Sequence, residues 1–152
     1  MKQLAVGILM MVISLAVKAQ YNEPVKWIFS AKKIADKTYE LHMSAVIGGK
    51  YHLYAQKNNA DGPVPTTFTF VSNPLIAFQG KVKEVGKLIS KMEEVWGFNV
   101  NYFETKVDFV QVIKSKVTAP TTVKGKVNFM VCDDKKCLPP KDVNFEIKVG
   151  TK

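Results

Sequence analysis

The chain has 152 residues, 22 basic against 13 acidic side chains, two cysteines and a formal charge of +9. That length suits one domain rather than two. With 47% hydrophobic and 23% charged residues, the composition excludes a disordered chain, a collagen and a disulfide-dense miniprotein.

In chain order, the first element is a leader rather than part of the fold. Lys2 supplies a positive start, and Leu4 to Val17 form an apolar run interrupted only by Gly7 and Ser14. Val17-Lys18-Ala19 then places small residues at −3 and −1 of a cleavage point before Gln20. The run falls short of the roughly 20 residues of a membrane-spanning helix. Without a cysteine just after the cleavage point, a lipoprotein anchor is not expected. Residues 1–19 are therefore read as a signal peptide and residues 20–152 as the mature domain, periplasmic or secreted. Removing them leaves 133 residues and, with Lys2 and Lys18 gone, lowers the charge from +9 to +7.

The mature chain shows no repeat, low-complexity tract or linker, and period-2 alternation dominates it. Strand candidates run over Val25–Lys33, Tyr51–Gln56, Thr66–Val71 and Lys106–Lys114. Three further segments alternate more cleanly. Tyr39, Leu41, Met43, Ala45 and Ile47 share one face, with Thr38, Glu40, His42 and Ser44 opposite. Val123, Val127, Phe129 and Val131 oppose Thr122, Lys124, Lys126 and Asn128, and Val143, Phe145, Ile147 and Val149 oppose Asp142, Asn144, Glu146 and Lys148. Such alternation is what half-buried antiparallel strands require. Gly48-Gly49, Asp61-Gly62-Pro63, Asn73-Pro74 and Ala119-Pro120 supply turns between them. At least seven short strands point to an all-β, immunoglobulin-like antiparallel β-sandwich. The stretch from Val82 to Trp96 has helical spacing of apolar residues, but Gly80, Gly86 and Gly97 interrupt or bound it. It is read as irregular strand and loop.

The pattern also explains the charge. All 22 basic residues are lysine, scattered and often alternating with apolar residues. Phosphate and base-edge recognition favours the planar fork of arginine, so the lysines are read as a solvating sheet face and no nucleic-acid partner is expected.

The informative segment is Val131-Cys132-Asp133-Asp134-Lys135-Lys136-Cys137-Leu138-Pro139-Pro140. It lies between two strand candidates and reads as a hairpin-like connection with a thiol on each side. Outside the cytoplasm disulfides form and persist, so the pair is an actual or potential bridge. Three roles compete. A structural staple closing a ring of about six residues contributes only about 2 kcal/mol, against about 4.7 for a 100-residue loop. A zinc site needs His42 and His52 to complete two thiolates and two imidazoles, yet both histidines fall in strand candidates with no close pairing. A redox pair needs one thiol to attack a partner's disulfide and a second nearby to resolve the mixed disulfide, and two cysteines on one turn meet that need. Two Asp and two Lys between them cancel in charge, so the spacer alone does not indicate a lowered thiol pKa.

This segment resembles the active-site turn of the N-terminal periplasmic domain of the thiol:disulfide interchange protein DsbD, which has a Cys, a short acidic spacer, a second Cys and a Pro-Pro. The resemblance continues through Val25-Lys26-Trp27, Tyr51-His52-Leu53-Tyr54, Asp61-Gly62-Pro63 and Lys106-Val107-Asp108-Phe109. It implies an immunoglobulin-like sandwich that carries electrons, as a protein-disulfide reductase type of component without cofactor or metal. Cys132 and Cys137 match the redox pair, with Cys137 in the place of the cysteine that makes the mixed disulfide. Trp96 or Phe98 beside Gly97 takes the place of an aromatic cap, and Tyr54 and His52 match positions near the pair. The implied partners are thioredoxin-like or disulfide-isomerase-type periplasmic proteins on one side and a membrane electron carrier on the other. The family's full-length proteins continue into a membrane domain and a thioredoxin-like domain, whereas this chain stops at Lys152. The carrier is therefore expected on a separate polypeptide, or the module has been repurposed. Some family members also have a longer spacer, so a reduction potential does not transfer.

The competing function is a sandwich that binds a protein or an envelope component, with a merely structural disulfide and a binding patch drawn from Trp96, Phe98, Tyr102 and Phe103. Hydrolase chemistry is not expected, since Ser30 and Ser44 have no nucleophile context and no phosphate-binding glycine loop is present.

Overall fold

The computed structural model describes residues 23–150; the expected leader over 1–19 lies outside them. Within them the chain is all strand and turn, with no helix. The strands are β1 (Val25–Ala35), β2 (Thr38–Ile47), β3 (His52–Tyr54), β4 (Thr67–Phe70), β5 (Ile76–Gly86), β6 (Ile89–Glu93), β7 (Phe98–Phe103), β8 (Lys106–Ser115), β9 (Thr121–Phe129), β10 (Val131–Cys132) and β11 (Lys141–Val149). They form three antiparallel sheets, ordered β1-β2-β8-β5, β10-β3-β7-β6 and β11-β9-β4.

The alternation seen in the sequence is what builds the sandwich. In β2, Leu41, Met43 and Ala45 are fully buried while His42 and Ser44 face outward. β8 answers with Val107, Phe109 and Ile113, and β9 and β11 contribute Val123, Val127, Phe129, Phe145, Ile147 and Val149 to the same core. Trp27, partly buried, packs against this core, its ring 5.4 Å from Phe129, 5.8 Å from Phe109 and 6.1 Å from Phe68 by centroid. These are edge and tilted contacts of the kind that add to simple area burial.

One glycine is required by close approach. A Cβ on Gly125, in the middle of β9, would lie 2.5 Å from the Phe145 ring and 2.7 Å from the Thr69 carbonyl oxygen. The ring can turn, but the backbone of β4 cannot. Gly125→Ala is expected to destabilise the fold by about 1–3 kcal/mol, read as a lower urea midpoint with unchanged slope; a neutral result would mean that β4 is held less tightly than the geometry shows.

The segment with misleading helical spacing is strand and turn. β5 pairs with β8 along its length, but its register shifts between Gln79 and Lys83. Four steps on β5 there match two on β8, so two extra residues bulge out and the phase is kept. Val82 packs against the same core as Ile76 while Val85, paired with Asp108, faces solvent, and apolar residues on both faces mimic a longer period. β6 and β7 then form a hairpin closed by Glu93–Gly97, where the Trp96 and Gly97 amides both donate to the Glu93 carbonyl. Gly97 takes a φ of +72° there, a conformation that costs a side-chain-bearing residue about 1–2 kcal/mol.

The sheet β10-β3-β7-β6 carries residues from two cores. Leu53, Phe103 and Val131 point into the main core, whereas Tyr54, Val100, Tyr102, Met130 and Cys132 form a second, smaller cluster with Ile89, Trp96 and Phe98 packed against it. Register explains the split. Val131 pairs with Leu53 and Leu53 with Phe103, while Cys132 pairs with His52 and Tyr54 with Tyr102. Because successive side chains alternate, one row faces the sandwich and the next faces away from it.

Candidate functional site

Cys132 and Cys137 are joined by a disulfide across a tight hairpin. The Leu138 amide donates to the Val131 carbonyl on one side of the pair, and the Asp133 amide donates to the Lys136 carbonyl on the other, both at 2.9 Å. The cysteines thus occupy the non-hydrogen-bonded position between two rungs, with Cα atoms 3.9 Å apart. In antiparallel ladders this is the position where facing residues come closest.

The two sulfurs are not equivalent. Cys132 is 2% exposed and belongs to the second cluster, whereas Cys137 is exposed to solvent. The Tyr54 hydroxyl donates to Cys132 Sγ at 3.1 Å, and His52 Nε2 lies 3.2 Å from the same hydroxyl. His52 and Tyr54 sit two apart on β3, on the face that β10 presents Cys132 to. That spacing lets one short strand place both rings under one sulfur. The Tyr102 ring closes the far side of His52, with centroids 4.6 Å apart.

Burial sets the protonation of this layer. Loss of solvent pushes the Tyr54 and Tyr102 hydroxyls above their ordinary range, so both stay protonated at neutral pH. Desolvation lowers His52 below 6.5, partly opposed by Glu93, Glu104 and Asp134. A histidine held neutral in the fold costs stability once the unfolded chain protonates. Stability is therefore full above pH about 6.5 and falls as the pH drops from there through the lower folded value. The melting temperature is expected to fall between pH 7 and 5, and His52→Gln to flatten that dependence; an unchanged slope in the variant would assign the loss to other groups.

Over the disulfide lies a hollow of about 590 Å³ lined by His52, Tyr54, Cys132, Cys137, the Asp133–Lys136 turn and Lys91–Trp96. Trp96 reaches it from the β6–β7 turn. Phe98 does not, its ring lying against Gly62 instead. The end of β6 and the same turn present Met92 and Val95 to solvent, at 59% and 85% exposure, a feature that strand alternation gives no reason to expect. Of the four aromatics considered for a binding patch, Tyr102 and Phe103 are buried, so that patch does not exist as a surface.

His42 lies elsewhere, on the outer face of β2. Its Nδ1 is 2.6 Å from Asp108 Oδ2, and the Ser44 hydroxyl donates to Asp108 Oδ1 at 2.8 Å. Ser44 and His42 both bind the carboxylate and not each other, so the Ser44 hydroxyl is not paired with an imidazole for nucleophilic chemistry. His42 is also absent from the hollow that holds the cysteines, so the two thiolates and two imidazoles of a zinc set are not brought together.

No protein-family model matches this chain, and no curated protein matches it by sequence. Solved structures do match. The chain superposes on the reduced N-terminal domain of DsbD from Neisseria meningitidis with a TM-score of 0.52 and 17% identity, over 80% of this chain and 83% of that one. The N-terminal periplasmic domain of ScsB from Proteus mirabilis gives a TM-score of 0.50 and 10% identity, over 80% of this chain and 44% of that one. The complex of the DsbD and PilB N-terminal domains from Neisseria meningitidis gives 0.45 and 15%, over 79% and 80%. What this chain shares with the DsbD and ScsB domains is the immunoglobulin-like fold.

Proposed function

We propose that the protein is an exported thiol–disulfide exchange module that passes electron pairs through Cys132 and Cys137. The observation that carries the reading is the asymmetry of the bridge: one cysteine exposed on the hairpin, the other buried under a tyrosine hydroxyl. An incoming thiolate has access to Cys137, which is exposed. Attack there forms a mixed disulfide to Cys137 and breaks its bond to Cys132, which leaves as a thiolate. The Tyr54 hydroxyl already points at that sulfur and stabilises the charge as it forms. A second partner thiolate then attacks the partner sulfur of the mixed disulfide, leaving the module as a dithiol and the donor oxidised. In the reverse direction Cys137 attacks a target disulfide and Cys132 resolves it, so two electrons move with no cofactor.

The donor class this implies is a thioredoxin-like or membrane-embedded dithiol, and the acceptors are thioredoxin-like or disulfide-isomerase-type proteins. Residues 1–19 fit as the export signal of a single domain over 20–152, and the likeness to a periplasmic domain of ScsB supports the same compartment. A structural role alone accounts poorly for the arrangement, because a ring of about six residues contributes only about 2 kcal/mol.

The test is to equilibrate the purified protein with glutathione buffers and to trap partners with Cys132→Ser. A potential above about −300 mV and a mixed disulfide on Cys137 are expected. A lower potential with no trapped partner would return the disulfide to a structural role.

A further inference from the structure

Between the cysteines, the backbone alone does not close the turn. Asp133 donates its amide to Lys136 in the usual way, but the return bond goes to a side chain: Asp133 Oδ1 accepts the amides of both Lys135 and Lys136 at 2.9 Å. The other oxygen, Oδ2, lies 3.4 Å from Lys50 Nζ, in the loop before β3. Lys50 is 66% exposed at its side chain and also lies over the Tyr51 ring, so its ion pair is a weak addition. The two amide bonds are the main cause holding the Asp133 carboxyl below its ordinary range, with Lys50 adding to them. The carboxylate is thus charged and engaged at neutral pH.

We propose that Asp133 is a positioning residue for the exchange reaction, closing the hairpin through its side chain so that the two thiols stay in bonding register when the disulfide is reduced. The inference rests on the exchange reading of the cysteine pair. An S–S bond constrains the turn by itself, so the carboxylate matters most in the dithiol and in the mixed disulfide. There the Cys132 thiolate must attack the Cys137 sulfur, forming the ring bond and expelling the partner thiolate. A turn free to open lowers the chance that the sulfurs meet. Freeing the backbone of a single residue is an effect on the order of tenfold in an equilibrium constant. The Asp133 brace therefore favours the disulfide, and its loss favours the dithiol.

The experiment measures the disulfide–dithiol equilibrium of the full chain against reduced and oxidised glutathione, by acid quench and alkylation. Asp133→Ala is expected to shift it about five- to tenfold toward the dithiol and to slow ring closure of the glutathione mixed disulfide. Asp133→Asn keeps an acceptor oxygen in place and should stay within about twofold of the parent, as should Lys50→Met. Asp133→Glu keeps the charge but not the reach, so it should behave like Asp133→Ala. It also serves in its place should that variant fail to fold. A parent-like value for Asp133→Ala, or a shift in Asp133→Asn with none in Asp133→Glu, overturns the inference, the latter because charge and not closure would be responsible. A parent protein that does not exchange with glutathione at all defeats the exchange reading and this inference with it. Normal parent exchange with an unmoved Asp133→Ala defeats this inference alone.

Discussion

In the reduced protein, the Cys137 thiol of a Cys132→Ser variant is expected to be alkylated on the order of a hundredfold faster than the Cys132 thiol of a Cys137→Ser variant. The reason is access. Cys137 is exposed on the outgoing arm of the hairpin, while Cys132 is 2% exposed beneath Tyr54 in the smaller cluster. A reagent reaches the buried thiol only when the structure opens locally, and a few kcal/mol for such an opening corresponds to a factor of this size. Iodoacetamide rates on the two variants at one pH make the comparison direct. Equal rates would mean that the turn opens freely, and the division of labour between an attacking and a resolving sulfur would lose its basis. In the exchange proposed above, the same asymmetry sets the order of attack, since a bulky protein partner would meet the exposed Cys137 and not the buried Cys132.

The second large effect concerns the sandwich rather than the site. Phe109→Ala is expected to cost about 3–5 kcal/mol and to lower the melting temperature by about 10 °C or more. Phe109 is fully buried and lies within 6.3 Å, centroid to centroid, of Trp27, Phe68 and Phe103. Those rings come from β1, β4 and β7, one in each sheet, so no single strand can move to fill the space. A loss below about 1 kcal/mol would show that the core collapses around the gap. By contrast, the cysteine bridge contributes only about 2 kcal/mol. A domain held mainly by its aromatic core can therefore cycle between disulfide and dithiol without unfolding, which an electron carrier needs and a disulfide-dependent miniprotein cannot do.

The strand faces were legible in the sequence because burial on one side leaves a period of two. β2, β9 and β11 read directly, and so did the hairpin of the cysteines. Where apolar residues stand on both faces, as Val82 inward and Val85 outward do in β5, the pattern misleads toward a helix although every residue obeys the same physics. The site was legible only in part. Cys132 and Cys137 stand out by chemistry, but the pairing of Cys132 with His52 and the reach of Tyr54 to its sulfur join residues about 80 positions apart. No local spacing encodes such a pairing; only the resemblance of the turn and of Tyr51-His52-Leu53-Tyr54 to a known domain pointed there. Lys50 and the solvent-facing Met92 and Val95 left no such trace, since an exposed side chain follows no burial pattern.

The alternation across β10 has one more consequence. Val131 anchors the hairpin in the main core while Asp134 and Lys135, at its tip, stand in solvent. Asp134, Lys135 and Lys136, the exposed part of the spacer, are thus insulated from the folding problem. Selection can lengthen, recharge or stiffen this spacer, and so retune reactivity and partner choice, while the sandwich that carries it stays as it is.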